Sequence, residues 1–214
     1  MYSAKELIDQ IRINPNLVGT KSVFCLKAFF DGWYFRKVPP VSEAYLEYKF
    51  QSWIEEKLEA GPHCTCSWAR IICLVNQDEY DAFFHFFELF DRFYQEVDLQ
   101  AYEEVPYSRV APYDHYSIEA LLEKLQTRTP MYIGHNTLTC LDSFLRGWYL
   151  RDPDGITDWH IMEGFESWLI AKNKFYPGPP SWQKIISYYS SNYSPGLFHF
   201  FEEYNEYIQT IKKQ

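Results

Sequence analysis

Residues 22–36 read SVFCLKAFFDGWYFR, and residues 137–151, placed 115 positions later, read TLTCLDSFLRGWYLR. At the same offset Pro15 answers Pro130, Gly19 answers Gly134, Phe50 answers Phe165, and Ser52-Trp53 answers Ser167-Trp168. One residue is then lost. Ser67-Trp68 pairs with Ser181-Trp182, Ile71-Ile72 with Ile185-Ile186, and Phe84-His85-Phe86-Phe87-Glu88 with Phe198-His199-Phe200-Phe201-Glu202. A repeat of this length is too long for a solenoid unit and has the size of a small domain. The expected architecture is all-α, with two tandem pseudo-symmetric helical modules of about five helices each. Copy 1 spans residues 1–98, a Tyr-rich linker spans 99–116, and copy 2 spans 117–214.

Local signals place the helices. Ser3-Ala4-Lys5-Glu6 has the capping-box spacing, and Leu7, Ile8 and Ile11 then share one helical face. Asn14-Pro15 ends that helix, because the residue before proline is pushed out of the α region. Apolar spacing predicts further helices over 22–37, from a cap at Ser42 through Leu58, over 68–75 and over 78–98. In the second half it predicts 118–127, 138–150, 159–173, 182–190 and 195–212. Tyr132-Ile133-Gly134 is the one hint of a strand. Pro15 to Gly19, and Pro130 to Gly134, define a turn with a stiff first residue and a permissive last one. Gly32 and Gly147 fall mid-helix, where glycine costs about 1 kcal/mol relative to alanine. Its recurrence in both copies predicts a tight helix crossing, with Trp33 or Trp148 folded against the neighbouring helix.

Aromatic residues make up 20% of the chain. Rings shared by the two copies are expected in the core; unshared tyrosines are equally suited to a surface. The net charge of −9 argues against nucleic acid as a partner, since no Lys/Arg stripe exists to displace counterions from phosphates. It suits a basic protein partner, or solubility alone. No run of about 18 apolar residues suggests a membrane span, and the start lacks the basic-then-apolar pattern of a secretory signal. With five cysteines, an odd number, reduced thiols and a cytoplasmic location are expected. Cys25 and Cys140 read as small core residues.

Motifs that could carry chemistry fall short of a site. His85 and Glu88, like His199 and Glu202, lie three apart on a helix, but a di-metal carboxylate bundle uses Glu-x-x-His, the opposite order. A hydrogen-bonded i,i+3 pair at the rim of the core is expected instead. His63-Cys64-Thr65-Cys66 resembles half a zinc site with no second ligand pair. Asp152 to Asp158 resembles the opening of a calcium loop, but Gly155 comes too early and no closing Glu follows. A turn with an N-cap at Thr157 or Asp158 is expected there. Residues 129–134 (TPMYIG) resemble a signature of type II topoisomerase ATPase domains, without the Asp-x-Gly-x-Gly contact or the glycine-rich lid that such a site needs. No Walker loop, Gly-x-Ser-x-Gly elbow or Cys/His nucleophile pattern appears. No catalytic residue, metal ligand or cofactor is expected, and the chain does not read as an enzyme.

Pro-x-x-[Val/Ile]-Gly, Leu-x-x-Phe-[Phe/Leu]-x-Gly-Trp, Phe-x-Ser-Trp, Ser-Trp-x-x-Ile-Ile and a closing Phe-Phe-Glu helix occur in both halves. The set resembles small helical bacterial proteins encoded beside Rhs and related polymorphic toxins. In copy 1 it rests on Pro15, Gly19, Leu26, Phe29, Gly32, Trp33, Phe50, Trp53, Trp68, Phe87 and Glu88. The resemblance implies an immunity protein that binds and occludes a cognate toxin domain, and it implies no catalytic residue. The residues that carry it read as packing residues, which leaves recognition to what differs between the copies. Glu103, Glu104 and Asp114, in the unshared linker, are the acidic residues expected to meet a basic toxin. The alternatives are a non-catalytic adaptor that binds a protein through the groove between modules, and a metalloprotein using the His/Glu pairs.

Overall fold

The computed structural model describes residues 2–36, 45–61, 65–98, 116–174, 181–190 and 196–213. Among the described residues the fold consists of ten α-helices, and no strand occurs. The first, α1 (Ala4–Ile13), starts where its capping box lies: the Ser3 hydroxyl accepts from the Glu6 amide, and the Glu6 carboxylate accepts from the Ser3 amide at 2.8 Å. Then follow α2 (Val23–Arg36), α3 (Lys49–Lys57), α4 (Trp68–Leu74) and α5 (Glu79–Glu96). The second half contributes α6 (Ile118–Ile133), α7 (Leu138–Arg151), α8 (His160–Asn173), α9 (Trp182–Tyr189) and α10 (Gly196–Ile211).

Three local expectations need correction. The third helix begins at Lys49, and Tyr45 and Leu46, though buried, belong to a short 3₁₀ turn ahead of it; Ser42 lies outside the described residues. The helix expected to stop at residue 127 continues through a break at Arg128 (φ −149°, ψ 46°) to Ile133, so Tyr132-Ile133 is helical. Pro130 lies two residues beyond the break; it has no N–H to donate to the Gln126 carbonyl and its ring crowds that carbonyl, which opens the ladder in this turn. The Thr129 hydroxyl donates to the Leu125 carbonyl across the gap at 2.7 Å. Finally, Asp158 does not cap α8. Its carboxylate instead accepts from the Ile118 amide (2.6 Å), the Glu119 amide (3.2 Å) and the Ser117 hydroxyl (2.7 Å), so it caps α6 from 40 residues away.

The two halves meet along α2 and α7. Cys25 lies beside Cys140, with the sulfurs 3.9 Å apart, near the first turns of both helices. Further along, a Cβ added to Gly32 would fall on the Phe144 carbonyl, 2.8 Å from its carbon, and one added to Gly147 would fall on the Phe29 carbonyl, also 2.8 Å from its carbon. At the C-terminal ends the Arg151 guanidinium lies 3.7 Å over the Trp33 ring, and the Arg36 guanidinium 4.3 Å over Trp148. First turns meet first turns and last turns meet last turns, so the helices run parallel. The glycine and arginine contacts are each made twice, once from either half. Trp33 (1% exposed) and Trp148 (0%) are sealed, as the mid-helix glycines predict.

The proline-to-glycine turns cross over as well. Gly19 (φ +91°) and Gly134 (φ +69°) hold backbone conformations that favour glycine. The first turn packs on α7, where the Ser143 hydroxyl donates to the Val18 carbonyl at 2.7 Å. The second packs on α2, through ring contacts of His135 with Phe24 and of Tyr132 with Phe35. Outside this seam, each half folds its own aromatic wedge. Phe50 packs on Trp53, Trp68, Phe86, Phe90 and Phe93; Phe165 packs on Trp168, Phe200, Tyr204 and Tyr207. The start of α4 is fastened by Gln51, which accepts from the Trp68 amide, and the start of α9 by Glu166, which accepts from the Trp182 amide. The buried rings of both wedges belong to one continuous cluster that runs through both halves, with Trp168 packed against it.

Candidate functional site

Glu103, Glu104 and Asp114 lie outside the described residues, as do 99–115 of the linker. Three places among the described residues hold the groups most able to form a site.

The first is the seam. Cys25 and Cys140 are thiols, both buried, flanked by hydroxyls of Ser22, Thr137, Thr139 and Ser143. The hydrogen bond from Cys140 pulls the Cys25 thiol down to about 7, while that bond and burial push the Cys140 thiol far up. Among the described residues, the groups that act most strongly on either thiol include no His or Lys.

The second is an ionic cluster on α2, on the side that faces Gly134 of the second half. Lys27 pairs with Asp31 one turn on and with Glu47 at 3.3 Å, and the lysine side chain is only 15% exposed. Burial pushes the Asp31 carboxyl up to about 7, with Lys27 opposing the shift and Glu47 adding to it. Lys27 also forms part of the wall of a cleft of about 510 Å³ between the halves, lined by Phe24, Thr65, Ser67, Arg70, Ile133 and His135 among others. His63 and Cys64 lie outside the described residues; Thr65 and Cys66 line this cleft.

The third place is the pair of outer faces carried by the repeated Phe-His-Phe-Phe-Glu segment. Of its five residues, Phe86, Phe87, Phe200 and Phe201 are buried. Phe84 (41% exposed) and Phe198 (59%) are at the surface, with Glu88 and Glu202 one turn along on the same exposed side. The expectation that shared rings are core rings therefore fails at these two positions. Helical spacing carries the reason: Phe83, Phe86, Phe87, Phe90 and Phe93 already fill the inward side of α5, which leaves Phe84 and Glu88 outside.

The histidines of this segment do not form the expected i,i+3 hydrogen bond. His85 Nδ1 accepts from the Asn76 side-chain amide at 2.9 Å, which ties α5 to the turn after α4. His199 stands 3.7 Å from Glu202 and 3.8 Å from Glu203, beyond hydrogen-bond reach. No group of three or more His, Cys, Asp or Glu side chains among the described residues is placed to hold a metal ion. No helix among the described residues is long and apolar enough to cross a membrane.

Compared with family models, with curated proteins and with solved structures, the chain finds no match in any of the three.

Proposed function

We propose that the chain is an immunity protein that binds a bacterial polymorphic toxin domain with a basic surface and occludes its active site. The observation that carries the reading is the acidic excess, −9 over the whole chain. Ion pairs such as Lys5–Asp9, Arg12–Asp91 and Lys57–Glu96 match one base with one acid and so leave this excess uncancelled. The surplus carboxylates remain to steer a cationic partner. The sequence resemblance supplies the kind of partner; the linker acids Glu103, Glu104 and Asp114 supply the first positions to test.

The experiment mixes the purified chain with the toxin domain encoded by the neighbouring gene and measures complex formation, toxin activity and salt dependence. A complex that silences the toxin and weakens as salt rises is expected. Reversing Glu103, Glu104 and Asp114 to lysine should lower affinity about tenfold or more and flatten the salt dependence. A toxin that neither binds nor loses activity at low salt overturns the reading.

One observation favours a second reading, an adaptor that binds a protein segment without inhibiting any toxin. The cleft between the halves takes its walls from both copies, with Phe24 and Arg70 on one side and Ile133 and His135 on the other. Arg70→Glu in the cleft should then abolish partner binding while leaving toxin inhibition absent throughout.

A further inference from the structure

The seam between the halves holds a thiol pair that toxin binding does not use. Cys25 and Cys140 occupy the same position in the two copies, 115 residues apart. Because α2 and α7 pack in parallel with equivalent turns side by side, the two sulfurs meet each other at 3.9 Å. Such a like-with-like contact is that of a symmetric dimer, here made within one chain. Both residues are thiols, and both are 1% exposed.

Packing keeps the pair together. Two turns beyond the cysteines, Gly32 and Gly147 bring backbone against backbone, and at the far ends each arginine covers the opposing tryptophan ring. The first turns of α2 and α7 are therefore held side by side by contacts along both helices. A disulfide sets its sulfurs at about 2.05 Å, so side-chain rotation and a small shift of the first turns close the remaining gap. The two thiols are also unlike. Cys140 donates a hydrogen bond that pulls the Cys25 thiol down, while the same bond and burial push Cys140 up. Cys25 is thus the member that ionises first, and the thiolate is the form that oxidants attack.

We infer that Cys25 and Cys140 form an oxidation site, a thiol pair that a hydroperoxide closes into a disulfide joining the two halves. The inference is independent of the toxin-binding reading. Hydrogen peroxide is close to water in size and reaches the buried pair when the first turns open locally. The Cys25 thiolate attacks one peroxide oxygen; an S–O bond forms, the O–O bond breaks, and the departing hydroxide takes up the proton that Cys25 released. The Cys140 sulfur then attacks the sulfur of the Cys25 sulfenic acid. The S–S bond forms, the S–O bond breaks, and hydroxide leaves with the Cys140 proton as water. In all, two thiols lose two electrons and two protons, and one peroxide becomes two waters. The bridge closes a loop of 115 residues, so it restrains the unfolded chain strongly. A thiol reductant reopens it and returns the seam to packing alone.

The test treats the full, reduced and folded chain with a small molar excess of hydrogen peroxide, removes the peroxide with catalase, and alkylates remaining thiols in denaturant. Non-reducing peptide mass spectrometry should find the Cys25 and Cys140 peptides joined, lighter by two hydrogens than their sum, and dithiothreitol should separate them. The oxidised chain should unfold at a urea midpoint about 1 M above that of the reduced chain, a shift that dithiothreitol reverses. A variant with Cys64→Ala, Cys66→Ala and Cys73→Ala keeps the seam pair alone and should give the same joined peptide. If Cys25 and Cys140 both carry the alkyl group after peroxide, the inference is overturned. Cys25 found as a sulfinic acid beside an alkylated Cys140, or either cysteine bridged to Cys64, Cys66 or Cys73, overturns it equally. A Cys25–Cys140 bridge that leaves the midpoint unchanged or lower would show that it does not fasten the halves in their folded arrangement.

Discussion

Gly32 and Gly147 occupy positions where hydrogen is the one side chain that fits. Alanine would ordinarily stabilise a mid-helix site by about 1 kcal/mol. Here its methyl group would lie inside a backbone carbonyl of the opposing helix, which cannot rotate away as a side chain could. The helices must separate, and every contact along the seam loosens with them. Gly32→Ala should therefore destabilise the protein by about 1–3 kcal/mol, read as a lowered urea midpoint. Gly147→Ala should do the same, because the contact it makes is the counterpart. A variant as stable as the parent would mean that the helices are not in contact there. The tight crossing was legible from the repeated glycine alone. Which helix lies opposite was not, because the glycine reports a close approach and carries no information on the partner.

Helices α1 and α6 differ in how their starts are held. Ser3 and Glu6 are three residues apart, so the capping box of α1 is a local matter and can be read directly from sequence. The start of α6 depends on Asp158, whose carboxylate reaches two amides and a hydroxyl at a helix N-terminus where negative charge is favoured. Asp158→Ala should cost about 1–2 kcal/mol and speed hydrogen exchange in the first turn of α6, with Asp158→Asn losing less. Unchanged exchange at Ile118 and Glu119 would show that Ser117 alone suffices. Sequence placed a cap at Thr157 or Asp158 and gave it to the helix that follows directly, whereas Asp158 caps α6. The Arg128 break has a similar origin: Pro130 announces a disruption, and tertiary packing decides that the helix resumes beyond it.

For the molecule as a whole, acid and base groups are unevenly spent. The Lys27–Asp31–Glu47 cluster puts two carboxyls around one lysine in a nearly dry place, which is why Asp31 holds its proton up to about 7. The folded protein keeps a proton that the unfolded chain releases near 3.8, so this group's contribution to stability is full below that pH and declines as pH rises to about 7. Asp31→Asn cannot titrate. Its unfolding free energy relative to the parent should rise steadily between those two pH values, with Glu47 still paired to Lys27. A difference that stays constant with pH would show that Asp31 is ionised throughout. Charge totals in the sequence hinted at a cationic partner, yet they could not reveal this cluster, whose members come from α2 and the turn before α3. The outer faces were legible in principle. Helical spacing puts Phe84 and Phe198 on the side away from the other phenylalanines, and it was their recurrence in both copies that pointed toward the core.

The parallel pair α2 and α7 carries one last implication, for inheritance. Each helix is the other's shelter from water, so deleting either half would strip Trp33 or Trp148 bare and leave a buried arginine without its ring. A gene carrying just one copy would encode a polypeptide whose natural complement is its twin, and joining the two in tandem makes that union permanent and independent of concentration. The two stretches are then free to diverge at their outer surfaces, provided their facing residues change in step.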